Sequence, residues 1–156
     1  FLTRPEVEAL LKAPDQATWL GRRDYALMLV AVQTGMRVSE LIQMRPEQVV
    51  LGTGAHVRCR GKGRKERCVP LTSQTVAVLK AWMIEQNSGP SEALFRTCRG
   101  GALSRDTVEH VLATHAAKAV QSCPSLINKR VSPHVLRHTC AMRLLEANVD
   151  CSVIAL

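Results

Sequence analysis

Aromatic side chains are scarce in this chain. Phenylalanine, tryptophan and tyrosine together make up 3% of its 156 residues, and none of them lies in the basic stretch from Arg58 to Arg67. Proteins that bind single-stranded nucleic acid usually stack the bases on aromatic side chains. This shortage argues against a single strand as the partner.

Long hydrophobic runs are missing as well. The longest one, from Tyr25 to Val32, is far shorter than the roughly 20 residues that a helix needs to cross a bilayer. No signal peptide or basic amphipathic anchor is visible, and the chain begins with Phe1 instead of Met. We therefore expect no membrane partner, a cytoplasmic location, and a chain that is a fragment of a longer protein.

The six cysteines have no C-x-x-C spacing, and we expect them to be reduced thiols. Cys59 and Cys68 could face each other across a hairpin. His134 and His138 have the H-x-x-x-H spacing of a zinc protease, but Val135 stands where such an enzyme has glutamate. No third ligand has a suitable spacing, so the sequence predicts no metal site.

Positive charge is what the chain has in excess. Its formal net charge is +8, and its isoelectric point is about 9.6. Such a balance favours a polyanionic partner such as nucleic acid. A hydrophobic fraction of 46% in 156 residues fits a single domain with a real hydrophobic core.

Apolar spacing and capping residues predict a mainly α-helical domain with a small antiparallel β-sheet, an α+β fold. The stretch Thr3-Arg4-Pro5-Glu6 has the form of a capping box, and Thr72, Ser104 and Ser132 can cap later helices. Gly35 ends the second helix. The predicted helices span residues 3–13, 22–33, 37–44, 72–86, 104–120 and 132–147, with a last one starting at Asp150. The predicted strands span 57–60 and 67–71, joined by a turn at 61–63, and 94–96 is a short strand at best.

The stretch from Arg58 to Arg67 contains six basic residues in ten. In one interpretation it is a solvated edge strand that charge protects from unwanted pairing. In the other it contacts the backbone of double-stranded DNA, because so much like charge in a tight turn repels itself until phosphates neutralise it. We favour the second interpretation. The candidate DNA-binding residues alternate along the strand and turn, which places them on one side; they are Arg58, Arg60, Lys62 and Arg64, followed by Lys65.

Arg37 and Glu40 form a second candidate. Arg37 follows the helix break at Gly35, and Glu40 comes three residues later. A surface ion pair of this kind would contribute little to stability. The functional alternative is that Glu40 holds the Arg37 guanidinium in place for a bidentate contact with a phosphate.

The stretch from Ser132 to Thr139 is the third candidate. Ser132 is a good N-cap and Pro133 suits the first helical position. His134 and Arg137 are then one turn apart on the same helical face. Such a pair is often an ordinary solvated face, but near a helix N-terminus it also suits the binding of a phosphate.

Three short segments occur in a fixed order along the chain. They are T-G-M-R-V-S-E-L, then G-K-G-R-K-E-R-C-V-P-L, then S-P-H-V-L-R-H-T. With these separations the chain resembles the catalytic domain of tyrosine recombinases, the phage-integrase and Xer-like family, over essentially its whole length. By position, Arg37 resembles the family's first catalytic arginine and Lys62 its hairpin lysine, with Lys65 as the substitute if the register shifts. His134 and Arg137 resemble its H-x-x-R pair.

The resemblance implies site-specific DNA recombination or integration, often in mobile elements. In this family a tyrosine hydroxyl attacks a DNA phosphodiester and forms a 3′-phosphotyrosyl intermediate, so no cofactor is needed. Arg37 and Arg137 would stabilise the transition state, Lys62 would protonate the leaving 5′-oxygen, and His134 would assist at the nucleophile. The implied partners are double-stranded DNA and further copies of the protein in a tetrameric synapse. The implied location is the cytoplasm, in association with the nucleoid, for a protein encoded by a bacterium or a phage.

The chain departs from the family pattern in two places. The family's G-H or G-W pair and nucleophilic tyrosine would lie just past Leu156, and its N-terminal core-binding domain is also absent. Tyr25 lies in a core-like helix and is interpreted as structural. Residues 1–156 are therefore expected to be a single partial catalytic domain, inactive alone, from a parent recombinase. The alternative is a non-catalytic remnant that binds double-stranded DNA.

Overall fold

The computed structural model describes residues 1–60, 63 and 65–147. Its regular elements confirm the predicted fold class, which is mainly helical with a small antiparallel sheet. Two short 3₁₀ helices, Pro46–Gln48 and Pro124–Asn128, were not predicted. The main elements are α1 (Arg4–Lys12), α2 (Trp19–Thr34), α3 (Val38–Ile42), β1 (Val49–Val50), β2 (His56–Arg60), β3 (Glu66–Pro70), α4 (Ser73–Gln86), α5 (Arg105–Ala119) and α6 (Pro133–Glu146).

The predicted helix starts agree with the structure except at α2. Thr3 and Glu6 form the expected capping box, with the Thr3 N–H donating to Glu6 Oε1 at 2.8 Å. Helix α2 begins at Trp19, three residues before the predicted start, because the Thr18 hydroxyl caps it by accepting the Gly21 N–H at 3.0 Å. A Cβ at Gly21 would lie 1.7 Å from the carbonyl oxygen of Asp15, so only glycine permits this tight entry.

The three strands are antiparallel in the order β1-β2-β3. Strand β1 has only two residues and was not predicted. Along β2, Arg58 and Arg60 are exposed, whereas Val57 and Cys59 are buried, which confirms the alternation for these two arginines. Lys62 and Arg64 lie outside the described residues.

The hairpin register separates Cys59 from Cys68. Cys59 pairs with Arg67, and Cys68 pairs with Arg58. Cys59 is buried and Cys68 is exposed, so the two thiols point to opposite faces of the sheet. The idea that they face each other across the hairpin is therefore wrong.

The hydrophobic core is centred on α2, where every residue from Ala26 to Val32 is buried. This helix packs against α1, α4 and α6. The few aromatic residues are used here: Trp82 lies 5.5 Å from Trp19 and 6.4 Å from Phe95 between ring centroids. The scarce aromatic side chains thus stabilise the core.

The described part of the chain contains no helix that is both long and apolar enough to span a membrane. Within the same residues, no group of three or more histidine, cysteine or acidic side chains could hold a metal ion. The helix predicted to start at Asp150 falls outside the described residues.

Candidate functional site

The C-terminal end of α2 is where the two candidate arginines meet. Gly35 ends this helix in the left-handed conformation, with φ of +66°, and its carbonyl oxygen accepts a hydrogen bond from Arg137 Nη1 at 3.2 Å. A Cβ on Gly35 would lie 3.1 Å from Cys140 Sγ. The missing side chain therefore allows α6 to pack closely on the end of α2, and Arg37 follows two residues later as the N-cap of α3.

Helix α6 begins as the sequence predicts. The Ser132 hydroxyl accepts the Val135 N–H at 3.2 Å, and Pro133 is the first helical residue. His134 is exposed in the first turn, one turn before Arg137. The functional face of α6 is thus directed to the surface beside the end of α2.

A buried hydroxyl fastens the inner face of the same helix to the start of the chain. The Thr139 hydroxyl donates to the Val135 carbonyl oxygen at 2.7 Å and accepts the Leu2 N–H at 3.0 Å. Thr139 is fully buried, and Leu136 is almost so. These contacts fix the rotation of α6, and hence the direction of His134 and Arg137.

Three arginines lie close enough together for their charges to affect one another. Burial lowers the pKa of Arg137, and the positive charges of Arg37 and Arg67 lower it further, while Glu40 raises it in part. Like charges brought this close are stabilised when an anion binds between them. The end of α2 is thus suited to a phosphate group.

Glu40 contacts two arginines in different ways. Its Oε1 atom accepts the backbone N–H of Arg37 at 2.8 Å, and its carboxylate binds the Arg67 guanidinium through two hydrogen bonds, of 2.5 and 2.9 Å. Burial by itself would raise the pKa of Glu40, but these hydrogen bonds and the charges of Arg67 and Arg37 outweigh it and lower the pKa. The carboxylate therefore stays ionised.

Arg67 was not among the predicted site residues. Its position in β3, two residues before the buried Val69, places it on the inner face of the sheet. A charged residue at a core-facing position requires a partner of opposite charge. The two-residue spacing between Arg67 and Val69, which puts both on the same face of the strand, was the sequence signal that could have identified Arg67.

Other candidate residues lie on the exposed side of the hairpin. Arg58 and Arg60 line an open groove of about 550 Å³, together with Arg45, Gln43, Glu47, Gln48, Cys59 and Glu66. Gln48 Nε2 donates to the Arg58 carbonyl oxygen at 3.2 Å and thereby holds the groove wall in place. Lys65 is exposed immediately before β3.

The candidate site residues that the structure describes form two groups in space. Arg37, Glu40 and Arg137 come together at the end of α2, with His134 one turn earlier on α6, whereas Arg58 and Arg60 lie on the outer face of the sheet. Cys59 lies between them; burial, followed by the charge of Glu40, raises its pKa to about 11 and keeps the thiol protonated.

Tyr25 belongs to neither group. It is half-buried in α2 and lines a small cavity with Val78 and Trp82 of α4. Ten residues of helix separate Tyr25 from Gly35, which corresponds to about 15 Å at 1.5 Å per residue. Its hydroxyl group is therefore remote from the arginine cluster.

Known proteins resemble this chain over its full length. The model of the phage integrase family matches residues 1–156. A Sinorhizobium fredii protein, y4rC, named as an integrase/recombinase, is 54% identical over 156 residues, which are 100% of this chain and 47% of that protein. Tyrosine recombinase XerD of Pseudomonas putida is 38% identical over 158 residues, covering 98% of this chain and 51% of the relative.

A solved structure also matches. The XerH site-specific recombinase bound to its difH substrate, in a pre-cleavage complex, has a TM-score of 0.78 and 26% identity. The match covers 98% of this chain and 44% of XerH. The chain thus spans about half the length of the relatives it matches.

Proposed function

Because this chain belongs to the phage integrase family, we propose that the protein containing it is a site-specific tyrosine recombinase that cuts and rejoins double-stranded DNA. One observation carries the proposal. Arg137 donates to the carbonyl oxygen of Gly35, two residues before Arg37, and burial, followed by the charge of Arg37, lowers the pKa of Arg137. This arrangement supports a site in which Arg37 and Arg137 contact the same phosphate.

The two arginines act on the scissile phosphate. Each guanidinium presents a planar pair of N–H donors that matches two oxygens of a phosphate. During phosphoryl transfer, negative charge is spread over the non-bridging oxygens, and donors already held in place stabilise it without reorganising. Arg37 and Arg137 would therefore lower the barrier to both cleavage and rejoining.

Proton transfer is assigned to two further residues. His134 is exposed at the start of α6 and would hydrogen-bond the phosphate and assist proton transfer at the nucleophile. Lys62, which lies between β2 and β3 in the sequence, would protonate the leaving 5′-oxygen. Because a covalent 3′-phosphotyrosyl bond retains the energy of the phosphodiester, the reaction needs no cofactor.

The attacking tyrosine is proposed to come from outside residues 1–156. Tyr25 is the single tyrosine of the sequence, and it lies half-buried far from the arginines. We assign residues 1–156 to the catalytic domain, and assign the nucleophile and a second DNA-binding domain to the rest of the protein. Four copies would assemble on paired DNA sites, in the cytoplasm of a bacterium, for integration or excision of a mobile element.

A denaturing gel with labelled DNA tests the proposal. The longer protein should form a covalent adduct on a nicked duplex carrying its own site, and the 156 residues alone should bind the DNA without an adduct. Arg137→Ala should slow adduct formation about 100- to 1,000-fold, and Arg137→Lys should restore little of it. Full activity of Arg137→Ala would refute the mechanism, and DNA binding by the longer protein without any adduct would support the non-catalytic alternative.

A further inference from the structure

We propose that Arg67 is a positioning residue of the catalytic site, which acts through Glu40 on Arg37. The inference rests on the proposed function and goes beyond it, because Arg67 itself makes no contact with the reacting phosphate in this scheme. It sets the orientation of a carboxylate that in turn holds the backbone from which Arg37 projects.

The first step is the geometry of the Arg67–Glu40 pair. Both terminal nitrogens of Arg67 donate to Glu40, one to each carboxylate oxygen, at 2.5 and 2.9 Å. The two side chains are 16% and 8% exposed, respectively. Two parallel hydrogen bonds at a largely shielded place fix both the position and the plane of the carboxylate.

The second step joins Glu40 to Arg37. Arg37 is the N-cap of α3, with φ of −67° and ψ of 151°, and its N–H is bound by Glu40 Oε1. The same oxygen accepts from Arg67. A rotation of the carboxylate therefore breaks the contact that holds the Arg37 backbone, and the exposed guanidinium moves with it.

Energetics argue that the pair does more than stabilise the fold. Removing two charges from water carries a large desolvation cost, and replacing a buried ion pair with apolar residues of similar size is often neutral or stabilising. Among the described residues, Arg67 Nε is also buried without a hydrogen-bond partner, which adds to that cost. The benefit of the pair is therefore expected in orientation.

The rest of the sheet has its own attachment. Gln33 Nε2 donates to the Pro70 carbonyl oxygen at 3.0 Å, and Gln33 Oε1 accepts the Thr72 N–H at 3.1 Å. These bonds hold the far end of β3 to α2. Loss of the Arg67–Glu40 pair should therefore disturb the end of β3 near Arg37 and leave the other end in place.

The decisive variants separate charge from geometry. Arg67→Lys keeps the positive charge next to Glu40 but removes the bidentate contact. In the longer protein, Arg67→Lys should slow single-turnover adduct formation at saturating DNA about 10- to 100-fold, as expected for a misplaced catalytic group. The dissociation constant for DNA should change less than threefold.

A double variant and a control exclude a simple loss of folding. Glu40→Met with Arg67→Met removes the buried pair without leaving an isolated charge, and it should unfold at nearly the wild-type temperature while it cleaves slowly. Arg22 and Glu85, an ion pair of the same residue types at 2.7 Å between α2 and α4, provide the control. Arg22→Met with Glu85→Met should cleave at the wild-type rate.

A modified substrate identifies the group through which Arg67 acts. Replacing the leaving 5′-oxygen with sulfur removes the need for a general acid, because a thiolate leaves without a proton. This substrate should restore cleavage by Lys62→Ala, but not by Arg67→Lys or Arg37→Ala. Restored cleavage by Arg67→Lys would overturn the inference, since Arg67 would then act on proton delivery.

The two proposals fail in different ways. Wild-type cleavage rates in Arg67→Lys, with Arg37→Ala inactive, would overturn the role of Arg67 and leave the recombinase function intact. Wild-type rates in Arg37→Ala would overturn both proposals.

Discussion

Substitution of Gly35 tests how the site is assembled. In Gly35→Ala, the new side chain would occupy a residue with φ of +66°, next to Cys140. The left-handed conformation costs a residue with a Cβ roughly 1–2 kcal/mol. The added carbon would also lie 3.1 Å from Cys140 Sγ and 3.2 Å from Cys140 Cβ, which is closer than ordinary van der Waals contact.

Gly54→Ala supplies a matched control for the backbone cost. Gly54 has φ of +69°, and a Cβ there would meet no atom within 4 Å. Gly54→Ala therefore measures the conformational cost alone. The extra destabilisation of Gly35→Ala measures the packing of α6 against the end of α2, which we expect to be about 1–3 kcal/mol, as for overpacked cores.

Urea unfolding of the 156-residue chain measures both free energies. The total loss for Gly35→Ala, about 2–5 kcal/mol, combines the two contributions. Cys140→Ala in the Gly35→Ala background should recover part of the packing component, because it removes the sulfur that the new methyl group meets. In the longer protein, Gly35→Ala should also slow DNA cleavage, since Arg37 and Arg137 are forced apart. Equal destabilisation by Gly35→Ala and Gly54→Ala, with normal cleavage, would refute this account.

Three further predictions concern the exposed arginines of β2, the interaction of Glu6 with Lys129, and Tyr25. Arg58→Ala with Arg60→Ala should reduce the slope of log affinity for duplex DNA against log salt by about 2, at roughly 0.9 per lost phosphate contact, and an unchanged slope would mean that these arginines only protect a sheet edge. The pKa of Glu6 is lowered to about 2, because hydrogen bonds from Lys129, Thr3 and Ser125 outweigh the opposing effect of burial. Its stabilising contribution should therefore be complete above the ordinary value of 4.5 and fall away between there and about pH 2. Over this pH range, the free energy of unfolding should fall less in Lys129→Met than in the wild type, because Glu6 has then lost one of the hydrogen bonds that lower its pKa. Urea unfolding at a series of pH values measures this. Tyr25→Phe in the longer protein should form the DNA adduct at the wild-type rate, and loss of the adduct would show that this tyrosine takes part in the reaction.

Much of the helical framework could be predicted because its signals are local. The hydroxyls of Thr3, Thr72, Ser104 and Ser132 cap helices within three residues of chain, and an N-cap is read directly from the sequence. The start of α2 has a local signal as well, the Thr18 cap, but Gly21 is a poor helix former, and its close contact with the Asp15 carbonyl oxygen cannot be read from the sequence.

Part of the candidate site could be predicted because its residues, too, belong to local sequence signals. Arg37, His134 and Arg137 belong to short motifs, but the partner of Glu40 depends on strand register. Alternation along β3 places Arg67 on the inner face, but the register that pairs it with Cys59 decides that its guanidinium meets Glu40 there. A register is set by turn geometry and by the core together, and no short stretch of sequence encodes it.

The hydrogen bond between Leu2 and Thr139 has a consequence for the order of folding. It joins residues 137 positions apart, and the contact of Arg137 with Gly35 spans 102 positions. Contacts between residues so far apart in the chain form slowly, because the intervening chain loses conformational entropy before the contact stabilises it. During synthesis, α1 to α5 leave the ribosome before α6, so the contact between Arg137 and Gly35 cannot form on a nascent chain until α6 has emerged. A chain interrupted before α6 would carry Arg37 and the basic stretch from Arg58 to Arg67, yet lack Arg137, the second arginine of the proposed site.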